Sequence, residues 1–565
     1  MIKKKNYIKA CALGLMLCIQ ISLLGGCDYW QNIGQKTNLD TDADTNADVD
    51  TNIDTNTEEA TLWVLTEISK SDGMNYQAET IARQFEEDHE GITVQIEILP
   101  TEEEERKIYL KQLRTQIMAG EGPDVYLLPT GDLVSTDMAT RFTQYRATLE
   151  YSMEPLFRDV MQAMYNGIFA DVSQYYDADV ELHTEELNQD VMNAGVIDGC
   201  RYVLPIRYDM QALFTDPSNE SSGVSQNVID GGIDALVQEA LDSDDALMAI
   251  GLYMPTDTSL LPTLFDYEKG EMLVTEQEIA DYMRLYQAWY EVTAVSTPDF
   301  ISQCEEIYYA NLVALDMPDM TLEDIHYAYH MDFTLESFTS HSAYISSALH
   351  WSTVGVPLYS GFLPEALDQA ALTRLLEKEL EAQPMRATDG SVVAEVTYYG
   401  AVGAGTENPE LAYEFLREFL TEGYQWDILR PRTDRSKDSL FNLAAEVQTD
   451  GLVEDSWPVR AKGAAYYLWE NWQYQIYYEY STGVHWSISS YKKLRSDDVT
   501  ITDEDMSILD YAIDEVRFPI TQDYEETLEY ALTLLNHEDG TPTDVDIDAL
   551  AKEVYKNLWW HLAEG

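Results

Sequence analysis

Apolar runs and amphipathic stretches alternate between Thr61 and Leu128, and no other feature constrains the fold as strongly. Thr61-Leu-Trp-Val-Leu65 is an apolar run of strand length. Tyr76 to Glu87 follows with Ile81, Ala82 and Phe85 at helical spacing, and Gly91 ends that element. Ile92, Val94, Ile96 and Ile98 then alternate along one face of a second strand. Tyr109 to Ala119 sets Leu110, Leu113 and Ile117 on one helical face, and Gly120 and Gly122-Pro123 lead into a third strand at Asp124–Leu128. Helices between successive strands imply parallel pairing and a sheet covered by helices. Ligands of such sheets bind beyond the carboxyl ends of the strands, here Thr66–Asp72 and Pro129–Asp132.

The N-terminus reads as an address. Lys3, Lys4, Lys5 and Lys9 precede a nearly all-apolar run from Ala10 to Leu24. That run has the length of a secretory core and falls short of the ~20 residues needed to span a bilayer. Leu24-Gly25-Gly26-Cys27 resembles the lipobox of bacterial lipoproteins. The resemblance implies cleavage after residue 26, lipid on Cys27, and a chain anchored to the outer face of the cell membrane rather than spanning it. Residues 27–60 include DTDADTNADVDTNIDTNTEE, which has too little apolar surface to fold and reads as an acidic, self-repelling tether. A calcium loop starting at Asp40 would need Gly and Glu where Thr45 and Thr51 stand.

The 565 residues allow roughly two to four domains. The chain carries 34 Lys+Arg against 102 Asp+Glu, a net charge of -68, which argues against nucleic acid as a partner. Cleavage at the lipobox would leave 30 basic side chains against 102 acidic ones, a net of −72. Hydrophobic residues at 45% are enough to build cores. Of five cysteines, Cys11 and Cys18 leave with the signal and Cys27 takes lipid. Cys200 and Cys304 remain, as a disulfide or as two thiols. His326 and His330 share a helical spacing without further ligands in view, so no metal or cofactor is expected. The sequence holds no G-x-S-x-G, no G-x-x-x-x-G-K-[ST] and no HExxH.

From residue 61 onward several segments follow one another in a family's order. Ala119-Gly-Glu-Gly-Pro-Asp-Val-Tyr-Leu-Leu-Pro-Thr130, Phe169-Ala-Asp-Val-Ser-Gln-Tyr175 and Asp198-Gly-Cys-Arg-Tyr-Val-Leu-Pro205 come first. Val354–Leu358, Tyr399–Leu416 with its Asn408-Pro409-Glu410 turn, and Val545–Tyr555 complete the set. Together they resemble the extracellular solute-binding proteins of family 1, the carbohydrate-type receptors of bacterial ABC importers. The resemblance implies an α/β, two-lobe periplasmic-binding-protein-like (type II) clamshell with discontinuous lobes and a hinge. Lobe 1 is expected over 61–207 plus 351–435, and lobe 2 over 208–350 plus 436–565. A non-enzymatic, monomeric receptor is implied. It would deliver a carbohydrate to separate permease subunits. The alternatives are a surface carbohydrate-active enzyme, a ligand-presenting subunit of a membrane sensor, or a receptor for a peptide or lipid.

Sugar sites need aromatic platforms edged by acids and amides. Alignment with the family brings Glu67, Asp72, Thr130, Asp132 and Asp209 to the cleft, with Arg207 and Tyr208 beside the last, while Asp124 is expected to brace its loop. The stretch 466–486 is rich in aromatics: Leu468, Trp472 and Ile476 form a core-like stripe, and Trp469, Trp472 and Trp486 are platform candidates. Tyr344 and Trp351, near the expected second crossing, join them. Trp559-Trp560 are expected to pack the last helix.

Overall fold

A computed structural model describes residues 60–135 and 151–215 with short gaps, and 224–294 and 528–564, also with short gaps. It further describes 358–362, 381–421, 511–520, Gln425, 457–459 and Ile508. Strand β1 (Ala60–Thr66) leads to helix α1 (Gly73–Asp88), β2 (Ile92–Ile98), α2 (Glu103–Met118) and β3 (Val125–Pro129). The alternation read from the sequence is therefore the observed order. Helix α2 starts six residues before the expected Tyr109, because the Glu102 side chain accepts from the Glu105 amide and three acids fill the first turn. Beyond β3 lie the short helix α3 (Val160–Tyr165), β4 (Val203–Asp209), β5 (Gln211–Thr215) and α4 (Gly232–Asp242). A small hairpin, β6 (Phe265–Asp266) and β7 (Glu271–Met272), precedes β8 (Leu358–Phe362), β9 (Glu381–Pro384) and the long β10 (Val393–Val402). Helix α5 (Pro409–Arg417), β11 (Trp457–Pro458), β12 (Glu515–Arg517), α6 (Leu528–Thr533) and α7 (Ile547–Glu564) follow.

Seven strands form the main sheet, in the order β11-β4-β10-β3-β1-β2, with β12 pairing β10. Strand β1 runs parallel to both β2 and β3, whereas β10 is antiparallel to β3 and β4. Central β3 is buried over Val125–Leu128, as a strand covered on both faces should be. A second sheet has the order β8-β5-β9, antiparallel throughout.

Two hydrophobic cores go with these sheets. The first packs Leu62, Val64, Phe85, Leu110, Tyr126 and Phe415 around the main sheet. The second gathers Phe265, Leu236, Tyr282 and Trp289 with Leu532 and Leu558 of α6 and α7. The chain reaches the second core through β5, one residue after β4: Leu213 lies in the second core, Ala212 and Phe214 in the first. It returns between β9 and β10, and goes over again between Phe518 of the first core and Ile520 against the second. The return expected at 351 lies outside the described residues; Leu358–Phe362 and Glu381–Pro384 both pair with β5. Residues 515–518, expected in lobe 2, lie in the first sheet and core.

Two motifs quoted for the resemblance meet in space. A Cβ on Gly403 would come within 2.1 Å of Pro123 O, and one on Gly405 within 2.3 Å of Gly120 O. The Gly403 amide donates to Asp124 O at 2.8 Å. Asp124 accepts from the Trp63 amide at 2.8 Å and from Thr406 Oγ1 at 2.6 Å, bracing the loop. Helix α5 opens at the Asn408-Pro409-Glu410 turn, with Asn408 at the N-cap position and without a side-chain cap bond; Pro409 occupies the first turn, and Thr406 Oγ1 accepts from the Asn408 amide at 3.3 Å. Trp559 and Trp560 do not pack the last helix inward: they meet edge to face at 5.2 Å and are 44% and 45% exposed.

Candidate functional site

The register brings a row of polar residues to one end of the main sheet. Thr66 ends β1 opposite Leu127, and Glu67 follows it. Thr130 leaves β3, with its amide donating to Thr397 O at 3.1 Å and its Oγ1 to Val396 O at 2.5 Å. Because β10 is antiparallel to β3, its first half lies at the carboxyl end of the parallel strands. Asp209 ends β4 opposite Glu395, and Arg517 ends β12 beside the same glutamate. Glu67, Thr130, Asp209, Glu395, Thr397 and Arg517 therefore border one edge, and the first crossing to the second core starts there.

Their environments differ. Glu67 is buried and its carboxylate faces the guanidinium of Arg106, which is 1% exposed. Arg106 also donates to Glu154 O at 2.6 Å and Pro100 O at 2.9 Å. Burial lowers its pKa to about 10, with Glu154 opposing that shift, so it stays charged at neutral pH. Thr130 is half-buried and spends its hydroxyl on β10. Asp209 is half-buried, and its Oδ1 accepts from the Met210 amide at 2.7 Å. Its neighbours Arg207 and Tyr208 are buried, and burial raises the Tyr208 phenol well above its ordinary range. Arg517 spans the cores: its Nη2 donates to Ser259 O at 2.6 Å and Leu261 O at 3.0 Å, while Nε lies 3.8 Å from Glu395 Oε1. Gln211 Nε2 reaches Ser259 Oγ at 3.4 Å from the start of β5.

Such a row offers carboxylates, hydroxyl oxygens and a guanidinium at one end of the main sheet, with Arg517 and Gln211 reaching Ser259 beside the second core, which is chemistry for holding a hydroxylated or polar solute. Among the described residues no group of three or more His, Cys, Asp or Glu is placed to hold a metal ion. No helix among them is long and apolar enough to cross a membrane. Cys200 is a free thiol.

Of the residues named from the sequence, Glu67, Thr130 and Asp209 fall in this row. Asp72, Asp132, Tyr344, Trp351, Trp469, Trp472 and Trp486 lie outside the described residues, as do Cys27, Cys304, His326, His330 and the tether. Sequence reasoning passed over Glu395, Thr397 and Arg517. The first two had a signal: polar residues two apart inside the otherwise apolar run Val393–Val402. Arg517 had none beyond its place in a short Glu-Val-Arg-Phe segment.

No protein-family model matches the sequence, and no curated protein matches it. Solved structures of extracellular solute-binding and ABC sugar-binding proteins are similar to it at low identity. One is a sugar transporter protein from Rhizobium etli in an open conformation, with 12% identity over 88% of this chain and 99% of that one, at a TM-score of 0.45. An ABC substrate-binding protein from Listeria monocytogenes in complex with cycloalternan shares 12% identity over 89% of this chain and 99% of the other, at a TM-score of 0.39. A family 1 extracellular solute-binding protein from Alicyclobacillus acidocaldarius shares 11% identity over 89% and 98%, at a TM-score of 0.40.

Proposed function

We propose that this chain is an extracytoplasmic solute-binding protein. It captures a carbohydrate, an oligosaccharide by preference, between its two cores and delivers it to the permease of an ABC importer. The observation that carries the reading is the polar row at the carboxyl end of the first sheet, at the place where β4 runs on into β5, a strand that borders both cores. A solute touching both cores there stabilises one mutual orientation over others, and binding is then read out as lobe closure. Asp209, at the crossing itself, accepts solute hydroxyls, with Thr130, Glu395 and Arg517 beside it. Asp72, Asp132 and the aromatics Tyr344, Trp351, Trp469, Trp472 and Trp486 complete the site as acids and stacking platforms. Lipid on Cys27 and the acidic tether hold a monomeric body at the outer face of the membrane. The lobes are the two cores, joined at the crossings found among the described residues.

A thermal-shift screen against oligosaccharides tests the reading, since a ligand present at 100 times its Kd adds about 2.7 kcal/mol to the folded state. Asp209→Ala is expected to weaken the best ligand about 10- to 100-fold, the worth of hydrogen bonds to a charged group, while the unliganded chain stays folded. Affinity unchanged by Asp209→Ala removes that residue from the site. Cleaved glycan products after incubation would replace the receptor reading with that of an enzyme.

A further inference from the structure

Away from the polar row, one buried carboxylate ties the two cores together. Asp159 precedes α3 on the first core, and its side chain is 1% exposed. Its Oδ1 accepts from the Gln162 amide at 3.0 Å and caps the helix. Its Oδ2 faces the second core, where it accepts from the Tyr267 hydroxyl at 2.5 Å and lies 3.2 Å from Nε2 of His561. Tyr267 sits in the hairpin between β6 and β7, and His561 in the last turn of α7. Around these bonds the Tyr165 ring stacks on Tyr267 at 6.0 Å, and Gln162 Nε2 reaches His561 O at 3.4 Å. Phe265 packs against the imidazole at 5.9 Å. Two separate elements of one core thus converge on a single carboxylate of the other.

A carboxylate buried this far needs its donors, and here two of them belong to the opposite core. Burial and the adjacent carboxylate raise the Tyr267 phenol far above its ordinary range, so it remains a donor at any physiological pH. Were the cores to part on this side, water would take the place of both donors, and the net loss is that of a charge-assisted hydrogen bond.

We propose that Asp159, Tyr267 and His561 form a latch whose closure holds the two cores in the observed orientation, so that any solute-driven reorientation must release it. These are positioning residues rather than ligand contacts. The proposal rests on reading the cores as lobes that move about the crossings, but its test uses no ligand.

Azide-bearing amino acids at Val180, 82% exposed on the first core's side, and at exposed Glu276 on the second carry a fluorophore pair on the full chain in detergent. Energy transfer then gives the distance distribution between cores. Tyr267→Phe deletes only the O–H and keeps the ring on Tyr165. The latched-to-unlatched ratio is expected to fall about tenfold, visible as a broader distribution at 25 °C. Asp159→Asn, which retains a helix-capping acceptor, is expected to act in the same direction, and the pair together to do little more than the stronger single change. If Tyr267→Phe does not fold, Asp159→Asn decides. A distribution identical to the parent's in a folded variant overturns the latch, even where the melting temperature drops, because a purely structural role lowers stability without moving the distances. A chain that shows the shift yet binds no oligosaccharide overturns the solute reading and leaves the latch standing.

Discussion

Replacing Glu67 by Gln removes one half of a buried ion pair and leaves the other half in place. Arg106 cannot follow its partner into solvent, since its Nε and Nη1 are held by the carbonyls of Glu154 and Pro100. Breaking a buried pair on one side costs roughly 3–5 kcal/mol, because an uncompensated charge remains. The two carbonyl bonds persist and place the expected cost at the low end, about 3 kcal/mol, or roughly a hundredfold in the opening equilibrium. A chain with two cores need not unfold in one step, so a single melting temperature does not say which core has lost stability. Native-state hydrogen exchange is better, because it resolves regions. The amides of β1 and β3 are expected to exchange about a hundred times faster in Glu67→Gln, and those of α4 in the second core to be unchanged. Replacing both partners by apolar residues, Glu67→Leu with Arg106→Met, is expected to recover most of the protection. The opposite pattern, with protection intact and ligand affinity lost, would refute this reasoning and return Glu67 to the binding site.

Asp124→Ala strips acceptors from the Trp63 amide and Thr406 Oγ1, so stability is expected to fall by about 2 kcal/mol in the exchange of β1 and β3, with ligand affinity unchanged. Gly403→Ala sets a methyl 2.1 Å from Pro123 O, a backbone atom that cannot swing away; the expected loss is about 1–3 kcal/mol, read as a lower melting temperature of the first core. Burial, and then Asp281, raise the Asp234 carboxyl to about 6. The folded chain therefore keeps a proton that the unfolded chain releases near its ordinary pKa of ~3.9, and the parent loses stability as pH rises from about 4 to about 6. Asp234→Asn is expected to melt with the parent at pH 4 and above it at pH 7; equal melting at both would refute the assignment.

The first half of the fold was legible because each of its signals is local. The apolar run at Leu62–Leu65, the alternation at Ile92–Ile98 and the helical face of Leu110 and Leu113 each report burial through spacing within one element. The crossings were harder. Leu358–Phe362 could join either sheet by its own residues, and only pairing with β5, more than 140 positions earlier in the chain, places it in the second sheet. A strand's partner is a long-range fact that its own residues do not encode. The same holds for Glu395 and Arg517, whose proximity depends on β10 and β12 running parallel.

The glycine turns of the motifs that carried the resemblance lie away from the proposed site. Gly122-Pro123-Asp124 and Gly403–Thr406 pack backbone on backbone at the entry to β3, whereas Thr130 and Asp209 stand at its far end. Glycines recur there because two main chains approach too closely for a Cβ, a demand of packing that any ligand leaves unchanged. Contacts to a solute answer a different demand, and in the proposed site they fall on residues such as Asp209, Glu395 and Arg517, at the end of the sheet. A sequence can therefore declare its architecture through close-packed turns and still leave its ligand unnamed, since the positions fixed by the fold and those proposed to meet the solute lie at opposite ends of the same strands.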